Sequence, residues 1–289
     1  MLKIVEKKKI WFTISILIIV IGFGFMFTKG MNFGIDFRGG TQVVINMGTD
    51  FNKTDVDKIV DEYSKDAVTN QVNGTELQIK AKELNSSQVN DIFKALKEKY
   101  NLKDDALVSQ NEIGASVGRD LTTNAIVALA IAVIGMLIYV IIRFEFSFGI
   151  AAIIALLHDV LITISVYAVF GITINTPFIA AILTIVGYSI NDTIVIFDRI
   201  RENRKKLRGK SVEEIADMSI TQTMSRSINT TLTTLITIVC VYIFVPTVRD
   251  FAFPLIVGIA SGACSSIFIA SPIWCILANR QKNKKARNK

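Results

Sequence analysis

One carboxylate, Asp192, lies inside an apolar run that is long enough to cross a lipid bilayer. The run covers residues 177–197, and a membrane-spanning helix needs about 20 mostly apolar residues. A charged side chain placed there costs roughly 2.5–3.5 kcal/mol to insert, and such residues commonly mark an ion or proton pathway. We therefore predict that Asp192 is functional and that it has a polar partner.

Polar residues recur at helical spacing on the face of Asp192 and again in the following apolar run, 227–245. The first stripe adds to Asp192 the residues Thr184, Tyr188 and Asn191. The second stripe consists of Arg226, Thr230, Thr233 and Thr237. Residues at these spacings share one helix face, so we predict two facing stripes along a hydrated seam, with Arg226 as the partner of Asp192. The alternatives are an interfacial anchor for Arg226 and a packing hydrogen bond for Asp192.

Two other polar positions are weaker candidates. His158 and Asp159 lie in the third apolar run, but adjacent residues of a helix do not share a face. We therefore favour a proton relay or a helix-packing role over catalysis or metal binding. Asp198 lies beside Arg199 and Arg201, which predicts a solvated ion pair at the interface, with an accessory role in the pathway as the alternative.

The composition indicates an integral membrane protein. The chain has 289 residues, 51% of them apolar, and its mean hydropathy is +0.46, which is too high for a soluble globular protein. Its cysteines all lie in apolar runs and offer no disulfide or metal spacing. We predict six spanning helices, an uncleaved first helix among them: 10–27, 121–142, 146–170, 177–197, 227–245 and 251–278.

The distribution of Lys and Arg predicts the orientation. The net charge of +7 comes largely from basic clusters beside the spans, which is the pattern that fixes membrane topology. It lacks the aromatic interleaving of a nucleic-acid binder. We predict that both termini are cytoplasmic, with four parts in order: terminus and first helix 1–28, outside domain 29–120, five-helix membrane domain 121–278 containing a basic cytoplasmic linker 198–225, and basic tail 279–289.

The outside segment predicts a small α+β domain of ferredoxin-like type. Strand and helix patterns alternate in the order β-α-β-α-β, with a capping box expected at Thr54 and Asp57. The expected elements are strand 41–46, helix 54–67, strand 76–80, helix 86–100 and strand 105–110. We interpret the domain as a binding or force-transmitting module, with a passive spacer as the alternative.

Three motifs are distinctive: GIDFRGGT after the first span, VGYSINDTIVIFDRIREN in the fourth and RSINTTLTTL in the fifth. They resemble those of the SecF branch of the SecD/SecF family, which belongs to the RND superfamily of proton-driven membrane proteins. The resemblance implies that Asp192 and Arg226 are proton-pathway residues. It also implies SecD, the SecYEG channel and a translocating preprotein as partners in the bacterial cytoplasmic membrane, with part of the proton path on SecD.

The predicted function is therefore assistance to preprotein translocation, driven by the proton motive force. No enzymatic activity, cofactor or metal is predicted. A small-molecule or lipid exporter is one alternative, although such exporters usually carry twelve spans and larger outside domains. A non-transporting scaffold, in which Asp192 and Arg226 only hold helices together, is the other.

Overall fold

The computed structural model of the protein describes residues 3–72, 74–207 and 209–287. They form two compact units, one of residues Phe33–Ile126 and one of Met1–Asn32 with Val127–Lys289. In chain order the elements are α1 (Lys8–Lys29), α2 (Ile35–Arg38), β1 (Gly40–Asn46), α3 (Lys53–Tyr63), β2 (Val68–Val72), β3 (Glu76–Ala81), α4 (Ser86–Tyr100), β4 (Leu107–Ile113), α5 (Ala115–Arg143), α6 (Phe146–Phe170), α7 (Thr176–Lys206), α8 (Val212–Phe244), α9 (Arg249–Ser265), a π-helical turn (Ser266–Ala270) and α10 (Ser271–Arg287).

The smaller unit is an antiparallel four-stranded sheet with the strand order β2-β3-β1-β4. With α3 after β1 and α4 after β3, this is the βαββαβ arrangement of the ferredoxin-like fold, which confirms the predicted type. The predicted three-strand order was wrong, because it lacked β2. Only Thr69 of that edge strand is buried, so the alternating apolar pattern that reveals a strand is missing.

The glycine pair in GIDFRGGT is required by the start of β1. Gly40 has φ +125°, and a Cβ added there would lie 2.5 Å from the carbonyl oxygen of Ala81 on the neighbouring strand β3. A side chain would meet both a strained backbone and a fixed carbonyl, so only glycine fits without local rearrangement.

Helix α3 begins one residue earlier than predicted, at Lys53. Asn52 caps α3, because its side chain accepts a hydrogen bond of 3.0 Å from the Thr54 backbone. Asp57 does not complete a capping box with Thr54. It pairs with Lys53 at 2.9 Å and accepts the hydroxyl of Thr69. The side chain that caps a helix thus comes before Thr54, and the predicted capping box was wrong.

Asp66 closes the loop between α3 and β2, and its ionisation stabilises that loop. The Ser64 hydroxyl donates to it at 2.7 Å and the Lys82 backbone N–H at 2.9 Å. The Ser64 hydrogen bond, followed by that of Lys82, lowers the pKa of Asp66.

We expect Asp66→Asn to destabilise the sheet unit by about 1 kcal/mol or less, since solvent screens an exposed carboxylate. Because the folded pKa is depressed, the stabilisation is present above the unfolded value of about 3.9 and is lost as the pH falls through the folded value. Hydrogen exchange of the β3 amides in the full chain should therefore differ between wild type and variant at neutral pH and converge in acid. Asp61→Asn, an exposed carboxylate on α3, is the control, and an equal effect of both changes would contradict the prediction.

Among the described residues, six helices are long and apolar enough to cross a membrane, which confirms the predicted number. Apart from the first residues of α5, these helices belong to the larger unit. Its centre consists of α6, α7 and the continuous segment from α9 to α10, which are 44%, 44% and 61% buried over their most apolar stretches. The corresponding stretches of α1, α5 and α8 are only 6% buried. These three helices present most of their surface to lipid or to another protein.

The predicted linker 198–225 is mostly helical. The fourth span continues in α7 to Lys206, and α8 already begins at Val212. Ser211 and Glu214 form a capping box at that start. A polar cap rather than hydropathy therefore sets where α8 begins. The predicted tail is also helical as far as Arg287, and its last two residues lie outside the described part of the chain.

Candidate functional site

Asp192 lies on α7 opposite the threonines of α8, and its hydrogen bonds are long. The Thr231 hydroxyl donates to Oδ2 at 3.3 Å, and the Thr230 hydroxyl lies 3.5 Å from Oδ1. The same Thr230 hydroxyl is only 2.9 Å from the backbone carbonyl of Arg226, which is the better acceptor for its single proton. The carboxylate of Asp192 is therefore only weakly held by α8.

A small cavity of about 40 Å³ adjoins this carboxylate. That volume can hold at least one water molecule in contact with several polar groups. Its polar lining consists of Tyr188, Ser189, Asn191, Asp192, Thr230, Thr231 and Thr234. The predicted seam thus exists between α7 and α8, and it includes the predicted residues Tyr188, Asn191 and Thr230.

The composition of the α8 stripe differs from the prediction. Thr231 and Thr234 line the cavity, whereas Thr233 and Thr237 are exposed and donate to backbone carbonyls four residues back in their own helix. The prediction chose the correct turns of α8 but partly the wrong face, because threonines occupy two adjacent faces of this helix.

Arg226 does not form an ion pair with Asp192 among the described residues, which corrects the predicted contact. It is exposed, one helical turn before Thr230, and lines a separate cleft of about 530 Å³. Asp198 lines the same cleft and forms ion pairs of 2.8 Å with Arg201 and 3.8 Å with Arg143. Arg226 thus lies one helical turn of α8 from Thr230, which contacts the weakly held Asp192.

A second carboxylate, Asp159 on α6, is fully buried. Three serine hydroxyls donate to it: Ser189 of α7 at 2.6 Å, Ser261 of α9 at 2.8 Å and Ser265 of α9 at 2.7 Å. These three serines were not predicted as partners of Asp159. The Ser261 and Ser265 spacing of four residues was a signal of one polar face directed at a buried acceptor.

His158 contacts its neighbour Asp159, contrary to the expectation that adjacent helix residues do not meet. Its Nδ1 lies 3.0 Å from Asp159 Oδ1, and its Nε2 lies 2.9 Å from the hydroxyl of Ser15 on α1. The imidazole can reach the carboxylate because both side chains extend sideways between α1 and α9. The described residues contain no group of three or more His, Cys, Asp and Glu side chains that could hold a metal ion.

Close packing of α7 against α9 holds the two carboxylate centres near each other. A Cβ added at Gly258 would lie 2.2 Å from Ile185 Cδ1, and one added at Gly262 would lie 3.1 Å from Ser189 Cβ. These glycines, spaced four residues apart, therefore allow close helix packing within this chain.

Comparison with known proteins identifies the family to which the chain belongs. The family model described as "Protein export membrane protein SecD/SecF, C-terminal" matches residues 92–280, and the SecD/SecF GG motif matches residues 24–51. The chain belongs to the SecD/SecF family. The glycine pair at the start of β1 falls within the matched GG motif.

SecF proteins resemble the chain along nearly its whole length. The protein translocase subunit SecF of Sebaldella termitidis is 39% identical over 98% of this chain and 94% of its own length. SecDF of Thermus thermophilus is 36% identical over 94% of this chain but only 38% of its own length. A crystal structure of SecDF from Thermus has a TM-score of 0.87 and 33% identity, covering 97% of this chain and 39% of that one. These SecD/SecF relatives support an accessory role in protein export.

Proposed function

We propose that this chain acts with a SecD subunit beside the SecYEG channel and uses proton flow to assist preprotein translocation across the cytoplasmic membrane. The observation that carries the proposal is Asp192, a carboxylate in a spanning helix that is weakly bonded and adjoins a water-sized cavity. Because its hydrogen bonds are long and water can reach it from the cavity, this carboxylate can gain and lose a proton at small structural cost.

Arg226 can couple proton exchange at Asp192 to a movement of the helices. When Asp192 is ionised, Arg226 can swing from its open cleft toward the carboxylate, and protonation of Asp192 releases it again. Alternation between these two states would shift α8 relative to α7. Moving one charge across 100 mV is worth roughly 2.3 kcal/mol, so a few protons could drive a movement of the sheet unit. That unit would hold the emerging preprotein and prevent backsliding.

A SecD subunit fits the exposed face of α8. The most apolar stretch of this helix is only 6% buried, and the exposed hydroxyls of Thr230, Thr233 and Thr237 lie along it. A row of hydroxyls is a poor surface for lipid but a good one for another helix bundle. SecDF relatives carry additional sequence in one chain, which supports association of this chain with SecD and a proton path completed by that partner.

The proposal can be tested by measuring how a proton gradient changes the rate of preprotein translocation in membrane vesicles. We expect tagged chain to co-purify SecD and the channel. Vesicles containing all three should translocate preprotein faster when a proton gradient is imposed, and a proton ionophore should remove the gain.

Vesicles without the chain provide the control, because any response of the other components to the gradient remains in them. Equal gradient dependence with and without the chain, despite co-purification, would contradict the proton-driven role. It would favour a scaffold that only assembles the complex.

A further inference from the structure

Asp159 is held very differently from Asp192, although both carboxylates lie in spanning helices. Each of its two oxygens has two hydrogen-bonding neighbours: His158 and Ser261 on Oδ1, Ser189 and Ser265 on Oδ2. Four neighbours fill the acceptor capacity of an ionised carboxylate. No Lys or Arg forms an ion pair with it among the described residues, so His158 is its only ionisable hydrogen-bonding partner. A charge buried at such cost is a functional-site hypothesis by default.

Ser189 connects this buried centre to Asp192. Its hydroxyl lies 2.6 Å from Asp159 Oδ2, and the same residue lines the small cavity beside Asp192. The two residues are one helical turn apart on α7, a rise of about 4.5 Å. One hydroxyl and one cavity water are therefore enough to join the two carboxyl groups by hydrogen bonds.

His158 connects the centre to a second space. Its side chain is 12% exposed. With the hydroxyls of Ser15, Ser261 and Ser265 it forms the polar part of a mainly apolar groove of about 350 Å³ between α1, α6, α9 and the π-helical turn. Both ring nitrogens are engaged, one toward Ser15 and one toward Asp159. An imidazole in this position can take a proton at one nitrogen and release another proton from the opposite nitrogen.

We propose that His158, Asp159 and Ser189 form a proton relay between this groove and Asp192. The relay deepens the proton-driven function proposed above and rests on it. In this relay the three residues deliver the proton that Asp192 binds, or remove the proton that Asp192 releases.

The relay moves one proton and changes no other bond. A proton from water in the groove adds to His158 Nε2, and the Nδ1 proton passes to Asp159, which leaves a neutral imidazole and a neutral carboxyl. After the carboxyl rotates, its proton passes to Ser189 Oγ while the Ser189 hydroxyl gives its own proton to water in the cavity. That water protonates the Asp192 carboxylate.

The cluster can accommodate a protonated Asp159, because one of its donors has a second acceptor. The Ser265 hydroxyl lies 2.7 Å from Asp159 Oδ2 and 3.1 Å from the backbone carbonyl of Gly262. It can turn to Gly262 and offer its oxygen to the carboxyl proton. The π-helical turn Ser266–Ala270 follows directly, and such turns are frequent at functional sites.

The groups that face Asp159 leave His158 as the proton donor. Among the described residues, α6 contributes His158 itself, α7 contributes Asp192 beyond Ser189, and α9 contributes Cys264, which lines the same groove. The contact from α1 is the hydroxyl of Ser15. In the part of these helices that the structure describes, no Lys, Arg or Glu forms a hydrogen bond or ion pair with the cluster.

Infrared difference spectra of the full chain in lipid vesicles, taken between acid and alkaline buffer, test the relay. Protonated carboxyl groups give C=O bands that are separate from those of carboxylates. We expect one such band to be lost in Asp159→Asn and a different one in Asp192→Asn. After a rapid pH change, His158→Gln should keep the Asp159 band but delay its appearance, because the amide preserves hydrogen bonds and cannot carry a proton.

Ser189→Ala provides the second arm and removes only one hydroxyl. If the relay exists, this variant keeps both bands and slows the appearance of the Asp192 band after acidification. Spectra in which Asp159→Asn removes no carboxyl band would overturn the relay, because Asp159 would then be a permanently ionised structural group. If that variant does not fold, a His158→Gln variant in which the Asp159 band appears as fast as in wild type would overturn the relay instead. Loss of a band in Asp159→Asn but none in Asp192→Asn would instead contradict the proposed function and leave Asp159 as the proton-binding group.

Discussion

Asp192→Asn should lower gradient-dependent stimulation of export about 100-fold, the usual effect of removing a positioned proton-transfer group. The amide has the size of the carboxyl, and its oxygen can still accept the Thr231 hydroxyl that now lies 3.3 Å from Oδ2. What the amide cannot do is gain and lose a proton in the adjoining cavity. Translocated preprotein, measured with and without a proton gradient and normalised to assembled complex, reports the loss.

Glu202→Gln is the matched control for this change. It also replaces a carboxylate by an amide on α7, but Glu202 is half-exposed, lies beyond the apolar run and pairs with Arg199 at 2.8 Å and Lys206 at 2.6 Å. Ion pairs that solvent can reach contribute little to stability, so stimulation and assembly should stay near wild type. An Asp192→Asn complex that assembles and keeps full stimulation would eliminate the proton role. A complex that fails to assemble would indicate a scaffold.

Hydropathy could predict the spans because the bilayer imposes one strong requirement, a run of apolar residues. It could not predict where the helices end in water. There α7 continues through charged residues to Lys206, and α8 begins at the Ser211 and Glu214 capping box. The start of α8 depends on side-chain hydrogen bonds that hydropathy does not measure.

The sheet unit shows a similar limit. Strands β1 and β3 carry the buried residues of the sheet and were predicted within one residue at each end, whereas β2 buries Thr69 alone. An edge strand is specified by the backbone of its neighbour, here the register of β2 along β3, more than by its own side chains. A single sequence carries little signal for such a strand.

The candidate site also contains residues that the sequence could predict and residues that it could not. Asp192 was predictable, because one polar residue in an apolar run is conspicuous. The partners of Asp159 were not, since Ser189, Ser261 and Ser265 come from two other helices and serine is tolerated in spanning segments for packing alone. The position of Arg226 was also missed, because spacing along α8 gives a helical turn but not the rotamer of a long side chain.

The close approach of α1 to α6 leads to the second large expected effect. Gly22 is buried against Ser165: a Cβ added there would lie 2.2 Å from Ser165 Cβ and 2.6 Å from Ser165 Cα. The Cα position belongs to the helix backbone, so the conflict cannot be relieved by a rotamer change. Gly22→Leu should therefore push α1 away from α6 and destabilise the larger unit by about 1–3 kcal/mol.

Gly24→Leu on the same helix is the control, because no heavy atom lies within 4 Å of a Cβ at that position. Thermal unfolding of the full chain in detergent should show a lowered midpoint for Gly22→Leu and a nearly unchanged one for Gly24→Leu. Displacement of α1 would also separate Ser15 from His158 Nε2, now 2.9 Å apart, so Gly22→Leu should additionally delay the Asp159 carboxyl band after a pH change. Equal midpoints for the two variants would show that α1 does not pack on α6 at Gly22, and the Ser15 end of the relay would lose its support.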